Sequence, residues 1–196
     1  QRLALEEYQP DKVRLKLVGT EAWTSREKIA RLETQIRELR DRSGAGVVKP
    51  PLKDVVDQLP VHRTKAYPLR SLSDINRIVI HHTATSPTIT AQRLAEYMVQ
   101  TMAKPAMAYH FFIAADGQIY QTSDLQTATD HAYSRSRDSI GICFAGNFTS
   151  GVPTTAQLKA GADLCAWLLD YLHLTSDVIV GLSELVQTQS PGLQWL

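Results

Sequence analysis

The run Arg77-Ile78-Val79-Ile80-His81-His82-Thr83-Ala84-Thr85 constrains this chain more than any other stretch. Three β-branched residues in succession read as a buried strand, because branching at Cβ packs well on a pleated surface. The strand stops abruptly in two imidazoles and small hydroxyl residues. A strand that delivers His to its C-terminal end sets a metal ligand or a proton carrier at the rim of a core. If the strand continues regularly, His81 and His82 point to opposite faces. The simpler alternative is that one imidazole is only a satisfied core or surface group, and the rest of the chain has to decide.

Downstream of this run, strand and helix patterns alternate. Thr90 to Thr101 puts Leu94, Ala95, Met98 and Val99 on one helical face, closed by Lys104-Pro105. Ala108 to Ile113 reads as a second strand, and Gln118 to Gln121 as its return. Asp116-Gly117 between them is a hairpin turn, since Gly supplies the positive φ that a tight turn needs. Ser139 to Ala145 is a third core strand, ended by Gly146-Asn147. Thr154 and Gln157 have capping-box spacing and open a long helix through Leu158, Ala162, Cys165, Leu168, Leu169 and Leu172. Val178 to Val180 is a last short strand. The expected class is α/β, with a mixed central β-sheet flanked by helices.

Upstream, residues 1–45 form an N-terminal extension. Lys12 to Val18 alternates as a short strand does. From Thr24 to Arg42, Ile29, Leu32, Ile36 and Leu39 make one narrow helical stripe, capped by Thr24 with Glu27 and stopped by Gly44. Such a stripe needs a partner. Self-association of residues 24–42 in a coiled coil and docking on the body remain open alternatives, two heptads being short for an isolated coiled coil. Residues 46–72 are a connector with Pro50, Pro51, Pro60 and Pro68, which excludes a long helix or a central strand. It is expected to run extended over the surface, with a helical turn at Lys53–Leu59 and Val55, Val56 and Leu59 pinned inward. The body spans 73–196.

Composition closes off some function classes. A chain of 196 residues that is 43% hydrophobic with a formal charge of +1 is expected to be soluble and globular. The balanced charge gives no support for nucleic acid as a partner. No apolar run approaches the length of a membrane-spanning helix. Cys143 and Cys165 sit in apolar surroundings, as small core residues do. The chain starts at Gln1 without Met, as a processed or excised fragment would.

Five motifs in order carry a family resemblance over residues 73–196. They are Ile78 to Ala84; Ala108-Tyr109-His110-Phe111 with Asp116 to Tyr120; His131; Ser139 to Asn147; and Gly181 with Ser190-Pro191-Gly192. The chain resembles the zinc-dependent N-acetylmuramoyl-L-alanine amidases, a family that includes phage lysozyme-type amidases and the peptidoglycan recognition proteins. The resemblance implies peptidoglycan or muropeptide as partner and a cell-envelope or extracellular location. It implies that His81 holds the family's first zinc-ligand position and that Tyr109 holds its catalytic tyrosine. It implies that His82, Tyr109, His131 and Thr188 contact the substrate. The other two ligand positions, a His and a Cys in the family, read Leu182 and Ser190 here.

That departure governs the functional expectation. Leu182 has no donor atom, and a neutral serine hydroxyl is a poor ligand beside imidazole or thiolate. A catalytic zinc site needs three protein ligands and an open position for water. His173 is the only imidazole after His131, and it falls at the end of the long helix. No replacement set is visible, so the expectation is a relative without a zinc cofactor that binds muropeptide and does not cut it. Two alternatives stand beside it: an active amidase that uses another metal set, and a scaffold that reuses the fold and assembles through its N-terminal helix. Restoring the ligands by Leu182→His with Ser190→Cys is expected to recover zinc binding, read by elemental analysis. A double variant that stays metal-free in excess Zn²⁺ would refute the ligand assignment.

Overall fold

The computed structural model describes residues 46–192. The strand expected at 12–18, the helix expected at 24–42 and its self-association lie outside the described residues. Six strands form one mixed sheet in the order β1-β4-β3-β5-β2-β6. They are β1 (Leu52–Asp54), β2 (Arg77–His82), β3 (Phe111–Ile113), β4 (Ile119–Gln121), β5 (Ser139–Phe144) and β6 (Ile179–Gly181). Only the β3–β4 hairpin is antiparallel; the other four pairings are parallel. Helices cover both faces, as parallel strands require.

β2 lies between β5 and β6 and is buried almost throughout, which is why it reads as a continuous apolar run. Its two faces serve different layers. Ile78 and Ile80, with Ile140, Ile142 and Phe144 of β5, pack against the long helix α2 (Thr155–Leu172). Val79 faces the other way, against Ala132 and Leu182. On that second face the short helix α1 (Ala91–Glu96) presses Leu94 and Ala95 toward Phe112 of β3. Thr90 caps α1 by accepting from the Arg93 N–H, and a π-turn over Tyr97–Thr101 extends it.

α2 keeps its expected capping box at Thr154 and Gln157, but its buried face differs from the expected one. Leu158 is 50% exposed and Ala162 also faces solvent. Cys165, Leu168 and Leu172 face the sheet as expected, and Gln157, Gly161, Leu164 and Trp167 join them there. Two residues explain the difference. The Gln157 amide donates to the Ala145 carbonyl at 2.9 Å, satisfying a strand end that no ladder reaches. Gly161 lets the helix approach so closely that a Cβ there would lie 2.6 Å from the Phe144 ring.

The second strand is shorter than expected, because the ladder bulges at His110. Both Thr122 and Ser123 donate to the one His110 carbonyl, at 2.8 and 3.3 Å. Two residues opposing one is the mark of a bulge, which re-aims the side chains around it. The Asp116-Gly117 turn forms as expected, with Gly117 at φ 85°.

The connector is more deeply integrated than an extended surface segment. Leu52–Asp54 pairs with β4 as an edge strand, where Pro50 and Pro51 just ahead of it do no harm. The helical turn is confined to Val56–Gln58. Farther on, Arg70 is only 2% exposed. Its guanidinium donates to the carbonyls of Leu125, Ser136, Arg137 and Ser139 at 2.7–3.1 Å. Burial lowers its pKa to about 10, which leaves it charged at neutral pH. Arg70→Met would strip four carbonyls of this donor. It is expected to cost about 3–5 kcal/mol of stability by urea denaturation, the range for breaking a buried charged network. A loss under ~1 kcal/mol would show that water replaces the guanidinium.

Candidate functional site

In open α/β sheets the loops beyond the carboxyl ends of parallel strands diverge and leave a crevice. Here the loops after β2 and β5, together with α1 and the C-terminal loop, enclose a cleft of about 760 Å³. His81, Tyr109, His131 and Leu182 line it, along with Thr188 and Ser190 from the C-terminal loop. The family-implied site residues thus come together, although they are scattered over more than a hundred positions of sequence.

β2 ends by turning its two histidines to opposite faces. His82 faces the α2 side: its Nδ1 accepts the Phe148 N–H at 3.0 Å and its ring packs on Phe148. That imidazole is committed to holding a loop. His81 faces the cleft and is 1% exposed, with its ring centroid 5.0 Å from that of Tyr109. His81 Nε2 lies 3.0 Å from His131 Nδ1.

The proton positions in this pair follow from their neighbours. The Ser139 hydroxyl donates its one hydrogen to the Arg135 carbonyl at 2.5 Å, so its oxygen can only accept from His131 Nε2, 3.3 Å away. His131 therefore carries its proton on Nε2 and accepts on Nδ1. The group that donates to Nδ1 is His81 Nε2–H. The His81 nitrogen that faces its neighbour holds a proton instead of a free lone pair. Burial keeps both rings neutral, pushing His131 down to about 3 and His81 well below the usual imidazole value.

His131 reaches this place because β5 offers a glycine beneath it. A Cβ on Gly141 would lie 2.7 Å from His131 Cγ. On the adjoining side His110 fills a ladder position with its ring: His110 Nδ1 accepts the Gly141 N–H at 3.0 Å, and the His110 N–H donates to the Gly141 carbonyl at 2.9 Å. Arg70 Nη2 is 2.9 Å from His110 Nε2. Burial first, then the guanidinium, drives the His110 pKa well below normal. The Tyr109 hydroxyl is enclosed beside the Cys143 thiol, and burial raises its pKa far above 10, so it remains protonated.

Leu182 and Ser190, which the resemblance sets at the other two ligand positions, have partners in the fold. Leu182 is buried with Val79 and Ala132 as part of an apolar cluster. Ser190 Oγ accepts the His82 backbone N–H at 3.3 Å and so ties the C-terminal loop to the end of β2. Thr188 is exposed on that loop, its Oγ1 accepting the Ser190 N–H at 3.3 Å. His173 is the left-handed C-cap of α2. Among the described residues no three His, Cys, Asp or Glu side chains converge as a metal site would require.

Sequence reasoning overlooked part of the cleft. Lys104 and Asp130 line it, joined at 2.7 Å, and the Tyr67 hydroxyl donates to the other Asp130 oxygen at 2.5 Å. Tyr97, Met102 and Tyr133 stand exposed around it. The only signal for Asp130 was its place beside His131. Tyr67 and Arg70, in a proline-rich connector, had none.

Residues 71–193 match the family described as N-acetylmuramoyl-L-alanine amidase. The chain is similar to peptidoglycan-recognition protein SA of Drosophila melanogaster, 32% identical over 127 residues, or 61% of this chain and 63% of that protein. It therefore spans less than two thirds of that relative's length. Among solved structures it is similar to the endolysin amidase LysCS of Clostridium intestinale, 26% identical with a TM-score of 0.63 over 76% of this chain and 91% of that one. A complex of the ectodomains of peptidoglycan recognition proteins LCa and LCx with tracheal cytotoxin is likewise 26% identical, with a TM-score of 0.63 over 74% of this chain and 92% of that one. The mixed sheet flanked by helices is the fold these proteins share.

Gly141→Ala tests how the imidazole pair is held. The added methyl must displace His131, so the His81–His131 hydrogen bond is expected to break and the stability to fall by about 1–3 kcal/mol, as for other overpacked cores. The ring resonances of His81 and His131 in ¹⁵N-edited NMR would report it. Unchanged tautomer signatures would show that His131 does not depend on the missing side chain.

Proposed function

The chain belongs to the N-acetylmuramoyl-L-alanine amidase family, and on that premise we propose that its cleft binds the peptide stem of peptidoglycan without cleaving it by zinc hydrolysis. The observation that carries this reading is the donor set at the family's metal position. His81 is the one imidazole at that position and is hydrogen-bonded to His131, Leu182 offers no donor atom and belongs to an apolar cluster, and the neutral Ser190 hydroxyl is engaged by the His82 N–H. These residues do not fit a catalytic zinc, which takes three protein donors and leaves one position open. Bound zinc supplies the family with an attacking water of lowered pKa. Nothing in this donor set does that work.

The binding half of the proposal rests on the shape and lining of the cleft. Its volume of about 760 Å³ suits a short peptide with a sugar attached, and its lining includes Tyr109 and His131. Thr188 stands exposed on the bordering loop, and His82 contributes through its edge at the end of β2. Tyr133 is 76% exposed and adopts a positive φ of 52°. A non-glycine residue held there costs of order 1 kcal/mol or more, and such strain clusters at ligand sites. Tyr97, Met102 and Tyr133 supply flat or polarizable faces for pyranose rings and aliphatic stems. The relatives named for peptidoglycan recognition, and the one bound to tracheal cytotoxin, extend the reading to this chain. A protein with this role meets its ligand at the cell envelope or outside the cell.

Co-sedimentation with purified sacculi tests both halves at once. The chain is expected in the pellet, with no soluble muropeptide released even after incubation with zinc. Absence from the pellet would overturn the binding reading. Release of free stem peptides would overturn the non-cleaving one.

A further inference from the structure

Lys104 and Asp130 are the charged side chains among the described residues that line the cleft. We propose that Lys104 is a carboxylate anchor, whose ammonium receives a free carboxylate of the bound peptide stem. The proposal deepens the muropeptide reading and rests on it.

The backbone sets Lys104 in place. After the π-turn, Ala103 takes a left-handed φ of 54° and the Lys104 N–H donates back to the Met98 carbonyl at 2.9 Å. That reversal carries the lysine over the end of the helix and into the cleft wall. Its Nζ then donates to Asp130 Oδ2 at 2.7 Å, and Asp130 Oδ1 accepts from the Tyr67 hydroxyl at 2.5 Å. Burial alone would raise the Asp130 pKa; the hydrogen bonds from Lys104 and Tyr67 outweigh it and hold the carboxyl below the usual range. Asp130 is therefore ionised at neutral pH, with each of its oxygens engaged.

The two charged residues are not equivalent toward a ligand. Both Asp130 oxygens have donors, while the lysine ammonium has three N–H groups and spends one on Asp130. The Lys104 side chain is 18% exposed, so its charge is sheltered from full screening yet open to the cleft. Asp130 fixes the ammonium in one position, which reduces the ordering cost of a second salt link. It also repels any carboxylate that approaches from its own side. A ligand amine would meet Lys104 as a like charge. The chemistry selected is an anionic group on the stem, and the carboxylates of its acidic or terminal residues supply one.

The test uses titration calorimetry with a soluble muramyl tripeptide whose stem carboxylates are free, and with the same compound fully amidated. The native protein is expected to bind the free form about tenfold more tightly, as a charge-assisted contact of this kind contributes. Raising the salt to 1 M should shrink that ratio. Lys104→Met should erase it by weakening the free form alone, and Lys104→Arg should keep most of it. Equal affinity of the native protein for the two forms would overturn the anchor and leave stem binding standing. Binding of neither form would overturn stem binding and the anchor with it. An equal loss for both forms in Lys104→Met would assign the lysine to shaping the cleft wall and refute the proposal.

Discussion

The parallel register of β2 on β5 determines where everything else in this protein can go. Ile78 pairs with Ile140 and His81 with Cys143, so like-facing residues of the two strands stack in rows. A slip by one residue would turn every side chain to the other face and bury His81 under α2. In the observed register His81 shares a face with Gly141, two residues before its own partner. The space above that glycine admits the His131 ring beside His81. The imidazole pair is thus a consequence of strand pairing as much as of residue identity.

The same geometry accounts for Leu182 and Ser190 as parts of the fold. The sheet, the helices and the cleft need Leu182 only as an apolar residue against Val79 and Ala132, and they need Ser190 only as an acceptor for the His82 N–H. Both residues are satisfied by packing and hydrogen bonds that ask nothing of a metal. Retaining a fold while changing its site is common, because function resides in a few side chains placed on a scaffold. Here the cleft holds His81 and His131 as a buried, hydrogen-bonded pair.

Segments far apart in sequence meet in the cleft wall. Tyr67 comes from the connector, Lys104 from the loop after the π-turn, and Asp130 from the loop before β5, yet the three form one chain of hydrogen bonds. Arg70 binds that connector to the body through four carbonyls and touches His110, whose ring supports Gly141. The connector is therefore part of the structure around the site. The buried charge of Arg70 is tolerable because backbone carbonyls take up its donors and the carboxylates of Asp74 and Asp138 favour it.

Local pattern was enough to determine the strands from β2 to β6, the two helices of the body, the Asp116-Gly117 turn and the capping box at Thr154, while the order of the motifs, through the resemblance, pointed to His81, Tyr109 and His131 together. Each of these depends on neighbours within a few residues, or on motifs whose order is itself the signal. The opposite orientations of His81 and His82 also followed from strand alternation alone. Other features required the tertiary structure. Leu158 and Ala162 looked like core, but close approach at Gly161 rotated α2 so that Gln157 took the buried position. Leu52–Asp54 became a strand because an edge of β4 was free to pair with it. The proton on His81 Nε2 depends on Ser139 and Arg135, and Asp130, which binds Lys104, and Tyr67, which binds Asp130, lie in two other segments. The physical reason is one of range: propensity, alternation and capping act through adjacent residues. Hydrogen-bond partners and close packing are chosen by whatever the fold brings within about 3–4 Å.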